Sequence, residues 1–167
     1  LPWLYGERTP VEDPYLRAAL FNYSLAHQRS DVIRAVLEGV ALNTRWLLGK
    51  VEQFFGRPVG ELRLIGGGAE SELWSRIFAD VLGRPVLRVE QPQLSNLRGA
   101  GFIAFVGLGE LGWDDVPARV RVKAPIDPES RHRAVYDERY AEFQELYRRT
   151  RGIFARMNRP AAVRHSS

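Results

Sequence analysis

Cysteine is absent from the 167 residues. Disulfides, zinc–thiolate sites and cysteine nucleophiles are therefore excluded, and the composition suits a reducing compartment such as the cytoplasm. No apolar run approaches the roughly 20 residues that a bilayer-crossing helix needs, so no membrane association is expected. The opening LPWLYGERTP has no basic stretch leading into an apolar core and does not read as a signal peptide. His27, His132 and His165 offer no pair at metal-ligand spacing, and no acidic cluster suggests a metal cage. Neither a catalytic residue nor a metal ligand is assigned. Methionine occurs once, as Met157, and the chain begins at Leu1 in apolar sequence. A fragment, a processed product or a truncated form is the expectation.

What is present describes an ordinary globular chain. Apolar residues make up 45%, enough for a real core, and the length suits one domain. The net charge is +4, and much of the excess is local: residues 145–167 carry six arginines and one acid. A basic tail can signal nucleic acid. Here Arg148, Arg149, Arg151 and Arg156 are not interleaved with exposed aromatics or glycines. A solvated helix face with a frayed end is the simpler reading, and no nucleic-acid partner is expected.

Periodicity and punctuation divide the chain into alternating elements. Residues 1–14 are rich in turn formers and read as loop. Residues 17–25, RAALFNYSL, read as a strand, with Asn22 marking a bulge or turn. A helix is predicted over 30–55, with Ser30 as N-cap and Asp31 in its first turn. Ile33, Val36, Leu37, Val40, Ala41, Leu47, Leu48, Val51 and Phe55 form its apolar face, and Gly56 stops it. Gly39 inside it asks for a close approach by another element. A short strand over 61–65 leads into Gly66, Gly67, Gly68 and Ala69. A helix over 70–82 follows, with Leu73, Trp74, Ile77, Phe78, Val81 and Leu82 on one face and Ser71 as a candidate cap. Residues 86–89 read as a strand. Residues 97–108 read as a helix whose Gly99, Ala100, Gly101 and Ala104 would let it press onto a sheet. Residues 119–126 could add an edge strand. A last helix follows Asp127 and Pro128, with Val135 or Tyr136, Tyr140, Phe143, Leu146 or Tyr147, Ile153 or Phe154, and Met157 as its apolar stripe, and Pro160 stops it. The alternation predicts an α/β layered domain over 1–157, with a disordered basic tail over 158–167.

The glycine run is the informative motif. A strand feeding a glycine-rich turn feeding a helix places free N–H groups at the positive end of a helix dipole. Glycine also lets backbone approach a ligand with no Cβ in the way. A nucleotide contact is one reading and a tight turn with positive φ is the other; for an isolated GGGA the turn is the simpler. The run matches neither the P-loop nor the dinucleotide fingerprint. Arg8 in its loop could bind phosphate or pair with Glu7, Glu12 or Asp13. Arg34 and Glu38 read as a surface pair. Asp80 reads as solvated, His27 as a turn or surface residue, and His132 as exposed.

Four stretches in order, LPWLYGERTPVEDP, RAVLEGVALNTRWLL, LIGGGAESELWSRIFADVLGRPV and RGAGFIAFVGLGEL, resemble the C-terminal domain of the FGGY-type carbohydrate kinases over about residues 1–111. The xylulose kinase branch is the nearest likeness, since GERTP resembles pentulose kinases and glycerol kinases usually differ there. The resemblance implies an actin-like, ribonuclease-H-like ATPase fold, three-layer α/β/α, here lacking its first strands. It implies an ATP-dependent kinase phosphorylating a pentulose such as D-xylulose, or another sugar or polyol. ATP/ADP would lie between two domains, with Mg2+ held mainly by the nucleotide and by upstream residues. The sugar would bind an N-terminal domain that is absent, and a homodimer is allowed. Gly68 and Ala69 match the adenosine-contacting loop, and Gly67 shapes it. Glu72 stands where relatives often carry a nucleotide-contacting asparagine. Asn22–Tyr23 also departs from the common Gly-Leu. The catalytic aspartate lies upstream of Leu1 in the family pattern, so the chain alone is expected to be inactive. A non-catalytic module with the same fold is the competing expectation.

Overall fold

The computed structural model describes residues 1–159. Two units divide them: residues 1–56 with 134 onwards, and residues 57–133.

The first unit is built on two long helices, α1 (Arg29–Phe55) and α5 (Arg133–Asn158), the latter starting one residue before the unit boundary. Gln28, not Ser30, caps α1: the Asp31 carboxylate reaches back to accept from the Gln28 amide at 2.8 Å. Gly56 ends the helix in the left-handed conformation at φ 65°. Trp3 is 1% exposed and anchors the loop before α1. Its ring centroid lies 5.3 Å from Phe143 and 5.7 Å from Tyr147, and its Nε1 donates to Asn43 Oδ1 at 3.1 Å. On α5, Tyr136, Phe143 and Tyr147 are buried, so Tyr136 and not Val135 faces inward, whereas Ile153 and Met157 of the expected stripe are exposed. Ile33, Val36 and Phe55 of α1 are exposed as well. Gly39 is buried against Pro2, at an ordinary contact distance that would also admit alanine.

A polar network joins α1 to α5. Arg34 donates to Glu38 at 2.8 Å and to the Tyr136 hydroxyl at 3.1 Å, and that hydroxyl donates to Glu38 at 2.9 Å. The expected Arg34–Glu38 pair is thus present and carries a third member. Arg45 pairs with Asp137 and lies 4.5 Å from the Tyr140 ring centroid.

The expected strand over 17–25 does not form. Asn22 adopts φ 59°, which breaks the extended run, and residues 20–25 are exposed with no partner strand alongside. Pairing is confined to Ala19, which exchanges backbone hydrogen bonds with Leu1 at 2.9 and 3.2 Å; beyond it the apolar pattern reports surface.

The second unit is a parallel β–α–β crossover. Strand β1 (Leu62–Leu64) pairs in parallel with β2 (Val86–Arg88), Leu64 opposite Arg88, and α2 (Glu72–Leu82) connects them. Ile77, Phe78, Val81 and Leu82 are buried, while Leu73 is exposed. Helix α3 (Ser95–Gly107) has no buried residue, so its small side chains do not press onto the sheet. Residues 119–126 start at Arg119, the last residue of the short helix α4 (Val116–Arg119), and then run antiparallel along β2. They form isolated bridges, Val86 with Ile126 and Val89 with Val122, and not a regular strand. The register slips by one residue between these two bridges, which interrupts the ladder. Among the described residues the sheet therefore has two strands, fewer than the layered expectation required.

Asp80 is buried, not solvated. It accepts from the Glu129 amide at 2.8 Å and faces His132 Nδ1 at 2.8 Å, tying the turn before α5 to α2. The expected tail falls, from residue 160 on, outside the described residues.

Two outcomes are expected. Asp80→Ala strands the Glu129 amide and should cost about 2–3 kcal/mol in urea denaturation, with Asp80→Asn milder because it keeps an acceptor. The Tyr136 hydroxyl is pushed up to about 12, by burial first and then by Glu38. Its folded-state value lies above the ordinary one, so its stabilisation is intact below pH 10 and is lost as pH rises towards 12. Tyr136→Phe should cost about 1 kcal/mol at neutral pH and flatten the loss between pH 10 and 12. A residual slope remains from Tyr140, also raised by burial.

Candidate nucleotide site

Strand β1 ends where its backbone must turn sharply to enter the crossover helix. Gly66 makes that turn at φ 81°, a conformation that L side chains rarely adopt, and its amide donates to Pro92 O at 2.9 Å. A single 3₁₀ turn over Gly67–Glu70 follows. The Ala69 amide closes on Gly66 O at 3.1 Å and the Ser71 amide on Gly68 O at 3.2 Å. The amides of Gly67 and Gly68 open the turn, where no intrahelical acceptor precedes them. Ser71 then caps α2, accepting from the Trp74 amide at 3.2 Å, as expected. Its carbonyl accepts from the fully buried Ser75 hydroxyl at 2.9 Å, which locks the junction.

The residues singled out from sequence now separate. A Cβ on Gly67 would meet nothing within 4 Å, so open space faces its backbone. A Cβ on Gly68 would lie 2.7 Å from Trp74 Cζ3, so this glycine is required by the indole packed on it. Ala69 is 2% exposed and its amide is already bonded to Gly66 O, so it shapes the turn from within. Glu72 stands at the first position of α2, with its side chain 65% exposed. Its carboxylate lies 3.3 Å from Arg88 Nη2 and 3.9 Å from Arg76 Nη2.

Sequence reasoning missed Arg88 and Trp74 as parts of this site. Both were read as plain members of their elements. The pairing of Leu64 with Arg88 puts Arg88 just before the glycine run on the neighbouring strand, and only the parallel register shows that. Beside the loop, Ile65 opens on an apolar cleft of about 230 Å³ lined also by Val89, Phe102 and Val120.

The electrostatics bear on which part of a ligand fits. Glu70 and Glu72 flank the turn, and carboxylates there oppose a phosphate even at a helix N-terminus. Bare backbone, open space and two acids suit the uncharged nucleoside end of a nucleotide. Among the described residues no group of three or more His, Asp or Glu could hold a metal ion. None of their helices is long and apolar enough to cross a membrane.

The C-terminal domain of the FGGY family of carbohydrate kinases matches residues 1–108. The chain belongs to that family. Among FGGY relatives, the xylulose kinase of Staphylococcus epidermidis is 28% identical over 156 residues, covering 92% of this chain and 31% of that protein. The glycerol kinase of Citrifermentans bemidjiense is 34% identical over 129 residues, 77% of this chain and 26% of that protein. The crystal structure of the xylulose kinase from Rhodospirillum rubrum superposes with a TM-score of 0.76 at 36% identity, covering 92% of this chain and 30% of that one. The chain thus spans less than a third of the relatives it matches.

The two glycines make a paired expectation. Gly68→Ala should cost about 1–3 kcal/mol and change the near-ultraviolet dichroism, because the Trp74 indole must move. Gly67→Ala should leave stability within about 0.5 kcal/mol, since its Cβ enters open space.

Proposed function

We propose that this chain is the adenosine-binding part of an ATP-dependent sugar kinase that phosphorylates a pentulose such as D-xylulose. The observation that carries the reading is the turn from β1 to α2. Gly67 and Gly68 present free amides and open backbone there, flanked by carboxylates that favour nucleoside over phosphate. The actin-like ATPase fold is part of the proposal, resting on family membership. So is a cytoplasmic setting. So too is a domain spanning 1–157.

In this reading the backbone of Gly67 and Gly68 and the side chain of Glu72 hold and orient the nucleoside, and buried Ala69 supports the turn beneath them. ATP with Mg2+ supplies the phosphoryl group and charge neutralisation, and positioning is the protein's main contribution. The base that takes the sugar proton, the phosphate contacts and the sugar contacts belong to residues upstream of this chain. Exposed Leu4, Leu20, Phe21, Leu25, Ile33 and Val36 in the first unit support such an upstream part, which would cover them. Homodimerisation is compatible with the same exposure.

Glycerol kinases among the relatives, at 34% identity, favour a second reading in which the acceptor is a polyol. On either reading the residues that choose between the two acceptors are expected in the rest of the protein. A module that has lost nucleotide binding would rest on Glu72 alone.

Calorimetric titration of the intact protein with MgATP should give saturable binding, weakened about ten-fold or more by Gly67→Leu, which fills the open space beside the amides. Absence of any heat with ATP or ADP would overturn the reading. The purified 167-residue chain should release no ADP with xylulose or glycerol.

A further inference from the structure

Arg88 is the one member of the glycine-turn site that the nucleotide reading leaves without a task. Its side chain is 14% exposed, and its Nη2 lies 3.3 Å from Glu72 Oε2. Its Nε is buried with no hydrogen-bond partner among the described residues. A guanidinium taken this far out of water is unfavourable unless it is paired and fully hydrogen-bonded. The partner it has, Glu72, is 65% exposed, and a pair with one member in solvent adds little to stability. As a stabilising device the arrangement is poor.

As a positioning device it is effective. A glutamate at the start of a helix, mostly in solvent, samples several rotamers. Arg88 is fixed by its strand: its carbonyl accepts from the Lys123 amide at 2.8 Å and its pairing with Leu64 sets its register. Arg76, one turn along α2, flanks the same carboxylate at 3.9 Å and also faces Glu129 at 3.7 Å. Two guanidinium groups from two elements therefore restrain the Glu72 carboxylate at the mouth of α2, and most of it still meets solvent. An ionised carboxylate only accepts hydrogen bonds. It cannot serve a phosphate. It suits the donors of a nucleoside, which are the ribose hydroxyls and the exocyclic amino group of the base.

We propose that Arg88 is a positioning residue that holds Glu72 as a hydrogen-bond acceptor for the donor groups of the bound nucleoside. This rests on the reading of Gly67 and Gly68 as the nucleoside contact. Arg88 acts through Glu72 and does not touch the ligand itself.

The test is calorimetric binding of three probes to the intact protein: ATP, 2′,3′-dideoxy-ATP and N6,N6-dimethyl-ATP. One of the two analogues should bind about ten-fold more weakly than ATP, and which one identifies ribose or base as the donor. Glu72→Ala should weaken ATP to the level of that analogue and leave the analogue's own affinity unchanged. Arg88→Met should reproduce part of that loss, and should add nothing in the Glu72→Ala background. A merely structural role would weaken all probes alike and would add to Glu72→Ala. Should Arg88→Met not fold, Arg88→Lys keeps the charge but moves the contact. It should show the same selective loss, with Glu72→Ala, at an exposed position, as the folded reference. Equal affinity of all three probes for the unaltered protein overturns the proposal while leaving the nucleotide reading standing. No binding of ATP at all overturns both.

Discussion

Two parallel strands cannot be joined by a hairpin, and this constraint organises the second unit. The chain leaving β1 has to cross over through α2 before it can return as β2, and it must change direction abruptly to begin. That requirement puts Gly66 in its positive-φ conformation, opens the 3₁₀ turn at Gly67, and leaves free amides at the carboxyl end of the strand. Ligand crevices in open α/β sheets lie at the carboxyl ends of strands for the same geometric reason. The candidate site is a by-product of the crossover, refined by the side chains that surround it.

Those side chains give each glycine a different meaning. Trp74 packs over Gly68, so the middle of the run is governed by internal packing. Gly67 faces open space and is the residue free to meet something outside. Acids at Glu70 and Glu72 reverse the usual preference of a helix start for anions, and Arg76 and Arg88 restrain one of them. On the proposed reading, backbone dipole, carboxylates and guanidinium groups together seat an uncharged polar group. Away from the site, Asp80 ties α2 to the turn before α5, so the helix that opens the site is anchored further along its length as well.

Much of the fold was legible in the sequence because its signals are local. The 3.6-residue periodicity and the terminal glycine located α1 to within a residue or two, and Ser71 announced the start of α2. Gly66 to Ala69 stood out because glycine between a strand and a helix has few other uses. Local signals failed where backbone pairing was needed. Residues 17–25 have strand composition, but their backbone pairing ends with Ala19, which exchanges hydrogen bonds with Leu1, and Asn22 then turns the chain away. Residues 119–126 found a neighbour, yet a one-residue slip in register between their two bridges keeps them from forming a regular strand.

Sequence alone determined the helices, the βαβ order, the glycine turn and membership of the FGGY family, since each is written in residue type and spacing along one stretch of chain. Tertiary structure decided which atoms meet. It alone placed Trp74 on Gly68, buried Asp80 against Glu129 and His132, and brought Arg88 of one strand to Glu72 of the crossover helix. Those contacts depend on strand register and on the direction of each helix face. Both are set by packing between segments distant in sequence, which no single stretch encodes.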